Sequence, residues 1–239
     1  TATGHSHPRV VEAIIEQAKK FVHIAGTDYY YDVQVKVAEK LAAIAPFDEP
    51  ARVFLTNSGT EAVMMALKAA RAHTGRPKIA KCEGAYHGSY DYAEVSLDPT
   101  PQAWGRNAPV SVAYARGTPD NVLADVVTIP FNDIEAAVSL IREHAAELAC
   151  VLVDPMPNRA GLAPADKAYL EALRAVTRDV GALLIFDEVI TFRLGYRGAQ
   201  GLWGIEPDLT TLGKIIGGGF PVGAIAGRAE FMAVFDPRA

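Results

Sequence analysis

A single lysine, Lys214, stands in the neutral run "LTTLGKIIGGG" (Leu209 to Gly219), between a short β-prone segment and a cluster of glycines. An amine half-buried in such a run is costly in its charged form, so its pKa falls and it becomes a nucleophile able to form a Schiff base with a carbonyl. A carboxylate, Asp187, ends the apolar part of "ALLIFDEV", where burial is unfavourable unless a cation pairs with it. Lys214 is the candidate to lie alongside. In "NSGTEA" the residues Ser58, Gly59 and Thr60 open a helix, and the free N–H groups and hydroxyls there suit a phosphate. The same residues also make a well-capped helix start. In "AYHG" the residues Tyr86 and His87 follow a strand-like run, where packing or a satisfied hydrogen bond accounts for them as readily as ligand contact. Neither GxxxxGK[ST] nor GxGxxG occurs, so the nucleotide loops built on those patterns are excluded.

The elements that must hold these residues alternate. "RVFLTNS", "KIAKCE", "CVLVDP", "ALLIFDEV" and "VGAIAG" are near-continuous apolar runs, as strands covered on both faces should be. Amphipathic segments lie between them. One starts at Thr60, carries Val63, Leu67 and Ala70 on one face and stops at Gly75 and Pro77. A second starts at Asn132 with Glu135 three residues on, a capping-box spacing, and turns Ile134, Val138 and Ile141 inward. A third runs from about Asp166 through Leu170, Leu173 and Val176 to Gly181. The order predicts an α/β fold with a mainly parallel central sheet and helices on both faces. In such a sheet ligands sit beyond the carboxyl ends of the strands, where all four features fall. The Pro- and Gly-rich stretch from Ser96 to Asn121 reads as a long loop of the kind that forms lids.

Composition narrows the classes. The chain has 239 residues, half of them hydrophobic, and a formal charge of −5, which leaves no basic excess for nucleic acid. No apolar run is long enough to span a bilayer and no signal peptide is evident, so no membrane partner and a cytoplasmic location are expected. Cys82 and Cys150 lie far apart without metal-ligand spacing, which predicts buried free thiols and no metal site. The chain lacks an initiator methionine and ends in "MAVFDPRA" just after a helix-like stretch begins, the look of a piece of a longer protein.

One cofactor accounts for the four features together. Pyridoxal 5′-phosphate has a phosphate for Ser58 and Thr60, a ring for Tyr86, a ring nitrogen for Asp187 and an aldehyde for Lys214. "TNSGTEAVMMALKAAR", "GAYHG", "LLIFDEV" and "PDLTTLGKIIGGGFPVGAIAGR" resemble class III aminotransferases of pyridoxal-phosphate fold type I, most of all their glutamate-1-semialdehyde aminomutase branch. The resemblance implies that Lys214 is the Schiff-base lysine and general base, that Asp187 pairs with the ring nitrogen, and that Val189 packs on the ring face opposite Tyr86. It implies that Ser58, Gly59 and Thr60 hold the phosphate, with His87 among the cofactor-binding residues. It also implies a large cofactor-binding domain over 1–239, with 1–25 the tail of a further N-terminal segment and a C-terminal small domain outside this chain. The family's active site lies at a homodimer interface, which here would include the loops Gly26 to Tyr31 and Gly217 to Phe220. The substrates implied are a small amino acid and a keto acid or aldehyde.

Departures from the family's pattern bear on the substrate. "VLVDPMPNRAG" has Asp154 where the family usually has Glu before the proline, and "DEVITFRLGYRGAQ" is shorter than the aminomutase form and is similar to that of β-amino-acid aminotransferases. Arg193 and Arg197 in that segment are candidates for a substrate carboxylate, or else solvated loop charges. The stretch around Trp104 lacks the Ser/Gly-rich character of the aminomutase gating loop. These features favour an intermolecular transaminase, with β- and ω-amino acids among the candidate substrates, over a glutamate-1-semialdehyde aminomutase. A chain that is catalytically incomplete, binding a cofactor or a partner with Lys214 structural, is the reading from a different class.

Overall fold

The computed structural model describes residues 2–26, 28–45, 50–104 and 108–236. Along the chain come α1 (Pro8–Lys20), α2 (Asp32–Ile44), β1 (Ala51–Thr56), α3 (Gly59–Thr74), β2 (Lys78–Cys82), α4 (Asp91–Glu94), α5 (Asp120–Ala124) and β3 (Val126–Ile129). Then follow α6 (Ile134–Glu143), β4 (Leu148–Val153), α7 (Lys167–Val180), β5 (Leu183–Asp187), α8 (Gly198–Trp203), β6 (Leu209–Leu212), β7 (Gly223–Arg228) and α9 (Ala229–Met232). The strands form one sheet in the order β1-β7-β6-β5-β4-β2-β3. β3, β2, β4, β5 and β6 are parallel, and β7 runs antiparallel to both β6 and β1. Two reversals restore direction, so β1 points the same way as β6.

Alternate residues of the central strands feed two cores. On β5, Leu183 and Ile185 pack with the α3 side chains Val63, Ala66 and Leu67, while Leu184 and Phe186 pack with Tyr169, Leu170 and Leu173 of α7. Both faces are covered, which is why β4 and β5 read as unbroken apolar runs. Helix α3 begins where Ser58 Oγ accepts from Glu61 N at 3.1 Å and ends at Gly75, whose φ of 68° satisfies the left-handed C-cap. Helix α7 ends the same way at Gly181.

Two expectations need correction. The cap of α6 is Asp133, whose Oδ1 accepts from Ala136 N, because Asn132 is spent elsewhere: with φ 60° it accepts from Asp166 N and donates to Pro164 O. The buried face shifts accordingly, with Ala137 and Ile141 inside and Ile134 41 % exposed. Strand β3, a four-residue run, was not among the expected strands, and neither α1 nor α2 was among the expected helices. Both cysteines are free and buried. Among the described residues no helix is long and apolar enough to cross a membrane, and no group of His, Cys, Asp and Glu could hold a metal.

Candidate active site

The directions of the strands gather the chemistry at one edge. Residues that follow β1, β2, β4, β5 and β6 all leave the sheet on the same side, and the start of β7 lies there too. Ser58, Gly59, Thr60, Tyr86, His87, Gly88, Asp154, Asp187, Val189, Ile190 and Lys214 line a single cleft. Every residue expected to bind the cofactor is among them. Asp154, Gly88 and Ile190 line it as well; Asp154 entered the sequence reading only as a departure in a loop, because nothing local marks which strand ends are neighbours.

Glycines set the close approaches. A Cβ at Gly59 would lie 2.9 Å from Val189 Cγ2, and one at Gly213 would lie 3.3 Å from Val189 Cγ1, so these two residues make the space in which Val189 lies. Gly88, at φ 90°, sits against Thr60, with a Cβ there 2.8 Å from Thr60 Cα. Gly223, opening β7, packs on the Ser58 carbonyl, which leaves no room for a side chain. The N-terminus of the long helix α3 is thereby held against the cleft with Thr60 Oγ1 accepting from Ser89 N at 3.3 Å. Its unpaired N–H groups and positive dipole end suit an anion there.

Asp187 is 4 % exposed, and its partner is not the expected cation. Oδ2 accepts from His87 Nδ1 at 2.8 Å, and Oδ1 accepts from Val189 N and Thr211 Oγ1, both at 3.1 Å. Burial pushes the His87 pKa down against the pull of Asp187, so the contact is a hydrogen bond from a neutral ring. With Nδ1–H given to the carboxylate, Nε2 carries the lone pair, and it is buried without a partner. The neighbouring Glu188 serves the scaffold. It accepts from Thr191 Oγ1, Ala199 N and Gln200 N, tying the turn after β5 to the start of α8.

Lys214 corrects the argument that led to it. It is exposed rather than half-buried, so it is not the desolvated amine that the sequence suggested. What singles it out is backbone: φ is 45°, left-handed for a residue with a Cβ, in a short 3-10 turn over Lys214–Gly217. That conformation costs roughly 1–2 kcal/mol and is characteristic of functional positions. The desolvated lysine is Lys81 on β2, wholly buried, with its pKa brought down to about 8 by burial and its Nζ donating to Cys82 O and Val95 O. These bonds close the base of the loop that carries Tyr86 and His87. Arg193 and Arg197 are exposed, and neither lines the cleft. Of the expected interface loops, Thr27 lies outside the described residues, as do 105–107 of the expected lid.

The family profile described as aminotransferase class-III matches residues 1–239. The chain is 44 % identical over 236 residues to a glutamate-1-semialdehyde 2,1-aminomutase from Pyrobaculum aerophilum, covering 98 % of this chain and 53 % of the relative. Among solved structures it is similar to an omega-transaminase from Sphaerobacter thermophilus, at 51 % identity and a TM-score of 0.91, covering 98 % of this chain and 52 % of the other. It is also similar to a transaminase with PLP bound, at 48 % identity and a TM-score of 0.89, covering 98 % and 52 % of the two chains. The chain thus spans about half the length of the relatives it matches. An α/β sheet of this order, a lysine, an aspartate and a helix start meeting at its carboxyl edge, and a profile match from end to end agree: the chain belongs to the class III aminotransferase family.

Proposed function

We propose that residues 1–239 are the cofactor-binding large domain of a pyridoxal-5′-phosphate-dependent aminotransferase that moves an amino group between an amino acid, including a β- or ω-amino acid, and a keto acid or aldehyde. The observation that carries this reading is the meeting of Lys214, Asp187, Tyr86, Val189 and the Ser58–Thr60 helix start in one cleft. The residues present fit the cofactor. Asp187 is a buried acceptor fixed by three donors, the N-terminus of α3 favours an anion, and Gly59, Gly88 and Gly213 keep side chains out of the space between. When bound, pyridoxal phosphate supplies an aldehyde open to attack by an amine and a ring that accepts an electron pair.

The protein's own contributions follow from its geometry. Lys214 Nζ would supply the nucleophilic amine and the base that takes up the substrate proton. Asp187, held by its three donors, would accept from a protonated ring nitrogen and keep that proton in place. His87 fixes the Asp187 carboxylate without adding a charge. Ser58, Gly59 and Thr60 hold the phosphate, and Tyr86 and Val189 confine the ring. Arg193 and Arg197 are proposed for the substrate carboxylate. We place the working enzyme in the cytosol as a homodimer. Exposed apolar side chains near the expected interface loops support the dimer, among them Tyr30 at 96 % and Phe220 at 53 %. Sedimentation of a fully active monomer would count against it.

Borohydride reduction followed by peptide mapping tests the reading. The reduced cofactor should be recovered on the Lys214 peptide, and attachment to Lys81 or Lys167 instead would overturn the assignment. The aminomutase reading stays open because the curated relative at 44 % identity bears that name. Conversion of glutamate-1-semialdehyde to an isomer with no added amino acceptor would select it. A chain that binds no cofactor under any condition would favour an inert or partner-binding domain.

A further inference from the structure

β4 and β5 pair in parallel up to Val153 opposite Phe186. The next residue of each strand is an aspartate, so Asp154 and Asp187 leave adjacent strands side by side, at a ladder spacing of about 4.8 Å. Both line the cleft, and they are only 3 % and 4 % exposed. Burial and the neighbouring Asp187 both favour the neutral form of the Asp154 carboxyl. The hydrogen bonds of the two carboxyls differ in the same sense. Asp187 accepts from His87, Val189 and Thr211, whereas Asp154 accepts from Met156 N at 2.9 Å through Oδ1. Asp154 has the fewer donors to stabilise a charge, so its neutral form is the favoured one.

We propose that Asp154 is a cofactor-binding residue of this site, a neutral carboxylic acid that donates its O–H to an oxygen of bound pyridoxal phosphate while Asp187 serves the ring nitrogen. The inference rests on the cofactor reading above. The groups around Asp154 agree with it. Burial, Asp187 and Glu188 push its pKa up, the Met156 N–H and Lys214 pull it down, and the balance is about 7. Cys82, on the neighbouring β2, is wholly buried with its own pKa raised to about 11, so it adds no charge at neutral pH. The His87 ring, bonded to Asp187, is neutral. Deprotonation of Asp154 then removes a donor and sets a second carboxylate against an anionic ligand, so affinity falls as pH rises through this range.

Two measurements test the proposal. In the cofactor-free protein, the ¹³C resonance of the Asp154 carboxyl, identified by its loss in Asp154→Asn, should titrate with a midpoint near 7. A carboxyl already ionised well below that pH overturns the proposal. The Kd for pyridoxal phosphate should weaken in the wild type, relative to Asp154→Asn, by up to about tenfold per pH unit above the midpoint. Asparagine still accepts from Met156 N and still donates, but it does not ionise. Parallel profiles for the two proteins overturn the donor role and leave the cofactor reading standing. A wild type that binds no pyridoxal phosphate at any pH overturns both. Should Asp154→Asn fail to fold, Asp154→Ser, which keeps a donor and does not ionise, takes its place in the binding series.

Discussion

Helices α3 and α1 are both amphipathic, and they end in opposite situations. α3 buries Ala62, Val63, Ala66, Leu67, Ala69 and Ala70 against the sheet, and its N-terminus forms one wall of the cleft. α1 buries no residue, leaving Val11, Ile14 and Ile15 between 38 % and 48 % exposed. The difference lies in what the described chain offers each helix. α3 packs onto the sheet through its buried face, whereas no core cluster among the described residues includes a side chain of α1. An apolar stripe says that a face is to be covered, and only the rest of the fold says by what.

The sharpest way to break this contrast lies at the cleft. Lys214→Ala should lower turnover by at least ~10² to 10⁴, the usual worth of a positioned acid–base group, with little change in thermal unfolding, because the side chain is exposed. Single-turnover kinetics and melting curves on the same preparation separate the two effects. A variant that melts early would make Lys214 a structural residue. Next in size is Leu173→Ala on α7, which removes a fully buried side chain and should cost about 2–5 kcal/mol in urea unfolding.

A pH series sharpens the same point at the buried His87. Its folded pKa lies below the ordinary 6.5, so below that pH the unfolded chain takes up a proton that the folded chain refuses. The stability His87 confers is therefore present above 6.5 and lost as pH falls through its lowered folded value. His87→Asn should remove that part of the acid slope, and an unchanged slope in urea titrations at several pH values would show that the ring is protonated in the fold. The smallest effect belongs to α1. Ile15→Ala should change the stability of this chain by no more than about 0.5 kcal/mol. A loss as large as that of Leu173→Ala would mean that the α1 face is covered in solution.

Much of this was legible in the sequence wherever the cause is local. The caps of α3 and α7, the apolar strands and the four strand-end motifs depend on residues within a few positions of one another, and they stand where expected. The failures share a cause as well. Asn132 was drawn from its cap by Pro164 and Asp166, about thirty positions away in the chain. Asp187 meets His87 across a separation of 100 residues, and a run of composition does not reveal that a neutral ring will stand where a cation was expected. The strand β3 is too short to announce itself. The order of the motifs therefore picked out residues that line one cleft, while the burial expected of Lys214 belongs to Lys81.

The left-handed backbone at Lys214 makes the position a detector of what a population is being asked to do. Glycine adopts φ 45° without penalty and asparagine does so at little cost, but neither carries an amine. A randomised library kept only for folded, soluble protein should drift toward those two residues at 214. The same library kept for turnover should retain lysine, and the codon at this one site would report which demand had been imposed.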